Sequence, residues 1–147
     1  GYQTGFLGKW HLSAGMEPRL PTDQGFDVNV AGSFWGYPLK GYFSPYRMPN
    51  LEDGPKGEYL TDRLTSEAIQ VMDDFSKQDK PWLLYMSYYT VHSPFHSKAE
   101  KTEKYQEKAS KAGEEINAAY AGMVESLDEI RSLYAKRRTN RSTKERT

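Results

Sequence analysis

Residues 82–89 read Trp-Leu-Leu-Tyr-Met-Ser-Tyr-Tyr, a run that is apolar at odd and even positions alike. Successive side chains of a strand point to opposite faces, so a strand of this kind is covered on both. The expectation is a buried strand from Trp82 to Tyr89, paired on both edges in a sheet flanked by helices. The preceding segment agrees. Between Tyr59 and Lys77, the residues Leu60, Leu64, Ala68, Val71, Met72 and Phe75 recur at spacings of three and four, as in an amphipathic helix. Gly57 lies before that helix and Pro81 after it.

Residues 4–10, Thr-Gly-Phe-Leu-Gly-Lys-Trp, read as a short strand weakened by two glycines. Residues 12–58 are rich in Gly, Pro, Tyr, Asp and Asn, with one plausible strand at Asp27–Val30. The remainder is expected to be ordered loop, because aromatic residues are dense there and a structureless stretch this long is unusual in a compact domain. The strongly charged segment from Lys98 to Glu115 reads as a solvated helix with a break near Gly113. A second clear helix is expected over Ile116–Tyr134, with Ile116, Ala119, Tyr120, Met123, Leu127 and Ile130 on one face. Strand, long loop, helix, buried strand and helix make an α/β chain.

Composition narrows the class further. The 147 residues suit one domain or part of a larger one. Hydrophobic residues are 37% of the chain, below the roughly 45–50% usual for globular domains, so the core is expected to be thin. Cysteine is absent, which excludes a disulfide scaffold, a cysteine-zinc site and a cysteine nucleophile within these residues. No run of about 18 apolar residues occurs, so no membrane span is expected. The first residues lack Met, a basic region and an apolar stretch; no signal peptide is visible, and the true start is expected to lie elsewhere. Net charge is zero but unevenly spread. Seven basic residues and one acid fall in 131–147, leaving 13 basic and 19 acidic residues, a net of −6, in 1–130. Such a basic tail could bind nucleic acid or anionic lipid. With almost no apolar period after Tyr134 it reads instead as a disordered end, and no nucleic-acid partner is expected.

Two segments could carry chemistry. In a strand, Lys9 and His11 would project from one face with Trp10 packed behind. A fixed cation and an imidazole that can give or take a proton suit an oxyanion such as sulfate or phosphate. Spacing alone favours a solvated strand end with polar residues. The second segment, Thr90-Val91-His92-Ser93-Pro94-Phe95-His96, directly follows the buried strand. Ligands of α/β folds bind at the carboxyl ends of strands, where His92 could contact an oxyanion or act as a general acid. His96 reads as a surface residue, and a His92–His96 metal pair is weakly supported by its spacing. Asp53, Asp62, Asp73 and Asp74 read as solvated rather than as a cation site, and Asp23 as a local turn residue. The aromatic stretch from Phe34 to Arg47 could stack on sugar faces or pack a loop down.

The segment Gly1-Tyr2-Gln3-Thr4-Gly5-Phe6-Leu7-Gly8-Lys9-Trp10-His11-Leu12 resembles the second signature of the sulfatases almost position for position. Gln24-Gly25-Phe26-Asp27, Tyr59 to Thr65, Leu83 to Pro94 and Tyr120 to Glu129 are similar to later elements of that family, in the same order. The resemblance covers residues 1 to about 130. It implies the alkaline-phosphatase-like α/β sandwich with a central mixed sheet, of which the middle portion is present. It also implies hydrolysis of sulfate esters, a class that includes sulfated glycans, by a formylglycine nucleophile with a calcium ion. By position, Lys9 would contact the sulfate and the nucleophile's oxygen, His11 would hydrogen-bond the nucleophile and help eliminate sulfate, and His92 would contact the sulfate or the leaving oxygen. Family members are usually exported or lysosomal, which implies a periplasmic or extracellular whole protein, or a lysosomal one in a eukaryote.

Several family features are not found in these residues. There is no Cys/Ser-x-Pro-x-Arg motif, no upstream aspartate pair and no downstream Asp-Asn-Gly or Asp-His-Gly strand. The nucleophile and the calcium ligands are therefore expected outside this chain, and the chain alone is expected to be inactive. Residues 131–147 read as out of frame or past a break. The alternatives are a truncated, non-catalytic protein that binds sulfated glycan, and a phosphate-ester hydrolase of the same superfamily.

Overall fold

The computed structural model describes residues 1–12 and 19–144, the side chains of 131–133 and 135–144 excepted. Two compact units divide at Pro94 and Phe95. The first holds β1 (Gln3–Gly8), a short 3-10 turn (Pro21–Gln24), β2 (Val28–Val30), α1 (Leu60–Phe75) and β3 (Trp82–Ser87). The second holds α2 (Ala99–Ala112) and α3 (Ala118–Lys144).

The sheet order is β2-β1-β3, with both pairings parallel. β1 is therefore central, and its last four residues, Gly5, Phe6, Leu7 and Gly8, are all buried. Parallel pairing needs a long crossover between strands, and the segment ending in α1 supplies it between β2 and β3. Leu60, Leu64, Ala68 and Phe75 of α1 are buried as their spacing predicts, joined by Thr61 and Thr65. The helix comes close to β1 at Gly5, where a Cβ would stand 2.8 Å from Leu84 Cδ1 and 3.4 Å from Phe75 and Val71 side-chain atoms. An Asp27 clamp ties β1 to the start of β2: its Oδ2 accepts from the Thr4 N–H (2.8 Å) and the Thr4 hydroxyl (3.0 Å).

Two strand expectations need correction. The first strand ends at Gly8, not at Trp10, so Lys9 and His11 do not share a strand face. The strand at 82–89 ends at Ser87 and is not covered on both sides. Within this unit α1 covers one face only, and Leu83 and Tyr85 on the other are 52% and 54% exposed. Among the described residues β3 pairs on one edge alone, with β1.

The long loop is ordered around buried tyrosines. Tyr42 and Tyr46 are fully buried, with Met48 and Leu51 beside them in the core. Ser44 N–H donates to Glu58 O and Leu60 N–H to Tyr42 O, so the loop is laced to the start of α1. The aromatic stretch thus packs in its second half, whereas Phe34 and Tyr37 in its first half stay partly exposed.

In the second unit α2 ends at Gly113, whose left-handed φ of 68° makes the expected break. α3 begins at Ala118, with Asn117 Oδ1 accepting the Tyr120 N–H at 2.9 Å. Its inward face is Ala118, Gly122, Met123, Ser126 and Ile130; Met123 and Ile130 of the predicted face are buried, but Ile116 and Tyr120 are exposed. Close approach explains the rotation. A Cβ on Gly122 would stand 3.0 Å from Lys101 Cβ, so small residues, not the largest apolar ones, face α2. Lys101, although cationic, is buried and pairs with Glu125 (3.4 Å) and Glu129 (2.6 Å). Helical backbone continues past Ile130 to Lys144, within the segment set apart as a basic tail; residues 145–147 lie outside the described residues.

Candidate functional site

Gly8 and Ser87 are partners across β1 and β3, so the two strands finish together on one edge of the sheet. Lys9 follows the first and the His92 loop follows the second. This is the edge at which parallel α/β sheets bind ligands.

Gly8 makes the turn out of β1 possible. Its φ is 96°, and a Cβ there would lie 1.9 Å from Ser87 O. Only glycine fits, and the chain passes close enough for Lys9 N–H to donate to Ser87 O at 2.6 Å. Trp10 is then fixed by its indole N–H, which donates to Arg19 O at 2.8 Å, and by an edge-on contact with Phe6 at 5.0 Å. His11 adopts a left-handed backbone, φ 55°, held by its N–H to Ser33 O at 3.0 Å. A non-glycine residue in that region is strained, and such strain is commonly retained at functional sites.

The result is an open cleft of about 540 Å³ lined by Phe6, Lys9, Trp10, His11, Tyr85 and Ser87, among others. Lys9 and His11 do meet, but through a turn rather than through strand alternation. The cleft has an aromatic floor, in which Tyr85 stacks on Phe6 at 5.4 Å and 12°. Its polar groups are few, the Lys9 ammonium and the His11 imidazole beside the Ser87 and Tyr85 hydroxyls, a composition suited to an anion carried on an apolar body.

His92 is held from behind. Its N–H donates to Tyr89 O (2.8 Å), and the Tyr42 hydroxyl lies between Tyr89 O (2.7 Å) and His92 O (2.9 Å). Burial raises the Tyr42 phenol above its ordinary value, so it remains a donor. Tyr89, whose pKa burial also raises, donates to Ala31 O at 3.0 Å. His92 Nδ1 stands 2.6 Å from Ser93 O. A carbonyl only accepts, so Nδ1 carries the hydrogen and Nε2 is the nitrogen left to exchange a proton.

One loop touches both imidazoles. A Cβ on Gly36 would come within 2.5–2.6 Å of three ring atoms of His11. The next residue, Tyr37, stacks its ring on His92 at 6.1 Å and 23°. Sequence reasoning named Lys9, His11 and His92 but missed Ser33, Gly36, Tyr37 and Tyr42 as their supports. The density of Gly and Tyr in that stretch was the available signal.

The remaining candidates resolve as ordinary contacts. Asp23 Oδ2 accepts the Leu20 N–H at 2.8 Å, as a turn residue does. Asp53 accepts from the Arg47 N–H, and Asp74 pairs with Lys77 at 2.6 Å. His96 is exposed and falls in the second unit. Among the described residues no group of three His, Cys, Asp or Glu side chains could hold a metal ion. No helix among them is long and apolar enough to cross a membrane.

Comparison with known proteins places this geometry in context. The profile of the sulfatase family matches residues 1–140. The uncharacterized sulfatase YdeN of Escherichia coli is 30% identical over 88% of this chain and 26% of its own length. Arylsulfatase J of Mus musculus is 32% identical over 88% of this chain and 23% of its own. The solved structure of Ps i-CgsB superposes with a TM-score of 0.63 at 25% identity, covering 88% of this chain and 32% of the other. The chain thus spans about a quarter of the length of these curated relatives.

Proposed function

This chain belongs to the sulfatase family, and from that premise we propose that it forms the sulfate-holding part of a sulfuric ester hydrolase. The observation that carries the reading is the cleft at the end of β1, beside the end of the parallel β3. Lys9 and His11 line it, and His92 lies in the loop that follows β3.

Each side chain has a role suited to its chemistry. The Lys9 ammonium is a compact charge that offsets the negative charge of a bound sulfate. His11, exposed and held over Gly36, could hydrogen-bond the nucleophile and act as a general base that helps release sulfate. His92 presents Nε2, which in the protonated ring would donate to the departing ester oxygen. The aromatic floor excludes water from one side of the cleft and strengthens these polar contacts.

The nucleophile, in this proposal a formylglycine, and calcium would be supplied from outside these residues. The chain has no cysteine, and its described residues contain no metal cluster. A sulfate rather than a phosphate ester is favoured by the Gly8-Lys9-Trp10-His11-Leu12 match to the sulfatase signature.

The test uses the intact protein that carries this segment, with 4-nitrophenyl sulfate and the corresponding phosphate as substrates. Sulfate is expected to be turned over preferentially. Lys9→Ala, His11→Ala and His92→Ala are each expected to lower turnover by about 10²–10⁴-fold with the fold intact. Unchanged turnover in Lys9→Ala and His11→Ala would remove the assignment. Tight binding of a sulfated glycan without turnover would favour the non-catalytic alternative.

A further inference from the structure

We infer that the loop Ser33–Tyr37 is a positioning element that sets two imidazoles, His11 in the cleft and His92 in the loop after β3, with Gly36 acting on His11 and Tyr37 acting on His92; this rests on the functional reading above. Three contacts converge on that short segment. Ser33 O accepts the His11 N–H at 3.0 Å and so holds the left-handed backbone of His11. The missing side chain of Gly36 is the space the His11 ring occupies, since a Cβ would overlap Cε1, Nδ1 and Nε2 at 2.5–2.6 Å. The Tyr37 ring lies nearly parallel to the His92 ring, 6.1 Å between centroids.

Neither histidine is buried. His11 is exposed, and its backbone lies in a region that a residue with a Cβ rarely adopts. The His92 backbone is anchored by Tyr89 and Tyr42, whereas its ring meets the carbonyl of the adjacent Ser93 at Nδ1, a local contact. Tyr37 adds a face from a distant part of the sequence. It is itself braced by Trp35, whose ring meets it edge-on at 5.6 Å, and Trp35 is braced by Phe34 at 4.5 Å. Serine enters the same brace: the Trp35 N–H donates to Ser33 Oγ at 3.3 Å. A loop held this way is stiff at Gly36 and Tyr37, and it couples two catalytic groups that belong to different strands.

The roles separate by chemistry. Tyr37 needs its ring, not its hydroxyl, to hold His92. Gly36 needs the absence of a side chain. An aromatic pair contributes a factor of about 2–10 at 25 °C, and misplacing a catalytic group by an ångström costs about 10²-fold. Ring loss at 37 should therefore lower kcat by about tenfold and leave KM within a factor of about two, because His92 acts on the leaving oxygen as the bond breaks.

The experiment is steady-state kinetics of the intact enzyme on 4-nitrophenyl sulfate. Y37F is expected to keep at least about half of wild-type kcat, and Y37L to lose about tenfold. In an H92A background, Y37L is expected to cost less than about twofold more, because the group it positions is gone. G36A is expected to lower kcat by about 10²-fold in protein that retains wild-type thermal stability. Should G36A fail to fold, the Tyr37 series still decides. Equal losses from Y37L with and without His92, or Y37F as damaged as Y37L, would overturn the proposal while leaving the functional reading intact. If H92A itself leaves turnover unchanged, the functional reading fails for His92 and the proposal falls with it.

Discussion

At Gly8 the difference between a hydrogen and a methyl group decides where Lys9 goes. The chain leaves β1 at φ 96°, and any Cβ would enter the Ser87 carbonyl. Gly8→Ala must either widen the β1–β3 junction or turn Lys9 away from the cleft. We expect it to destabilise the protein by more than about 2 kcal/mol, read as a lower urea midpoint at unchanged m, and to lose turnover beyond what the stability change explains. A variant of wild-type stability and activity would show that the turn relaxes at little cost. His11 is the complementary case at this scale. Its left-handed backbone costs energy locally and is held by Ser33, so the strain sits at a residue that lines the cleft.

Among the elements, α2 and α3 are joined by charge as much as by apolar contact. Glu125 receives Lys104 at 2.8 Å and Lys101 at 3.4 Å, and the Lys104 hydrogen bond is the main reason its pKa is lowered to about 2. A carboxyl group depressed in the folded state stabilises fully above its ordinary value near 4.5, and that contribution is lost as pH falls towards 2. Amide protection over residues 99–130 should therefore fall between about pH 5 and 2 more steeply in the wild type than in Glu125→Gln, with the variant as the reference at each pH. Identical profiles would mean that the pairs are solvated and contribute nothing. The same pair of helices explains why the apolar period caught Met123 and Ile130 but not the rest of the inward face of α3. Packing at Gly122 is set by how closely the backbones approach, which periodicity does not encode.

For the whole molecule, the informative quantity is the apolar surface left uncovered. Leu83 and Tyr85 are more than half exposed on a strand that pairs on one edge among the described residues. Together with a low apolar content, that leaves little to offset chain entropy. Expressed alone, residues 1–147 are expected to show no cooperative thermal transition and to bind a hydrophobic dye; a sharp, reversible transition would overturn this. The family assignment came from linear motifs, chiefly the run around Gly8-Lys9-Trp10-His11-Leu12, and so did Lys9, His11 and His92 as candidates. Local rules also sufficed for the α1 face, the Gly113 break and the Asp23 turn, because each depends on neighbours within a few residues. Tertiary structure alone decided that Lys9 and His11 meet through a turn and not a strand face, since a carbonyl of β3 dictates the glycine at 8. It alone placed Gly36 against His11 and Tyr37 against His92, contacts across 25 and 55 positions that no local period can carry.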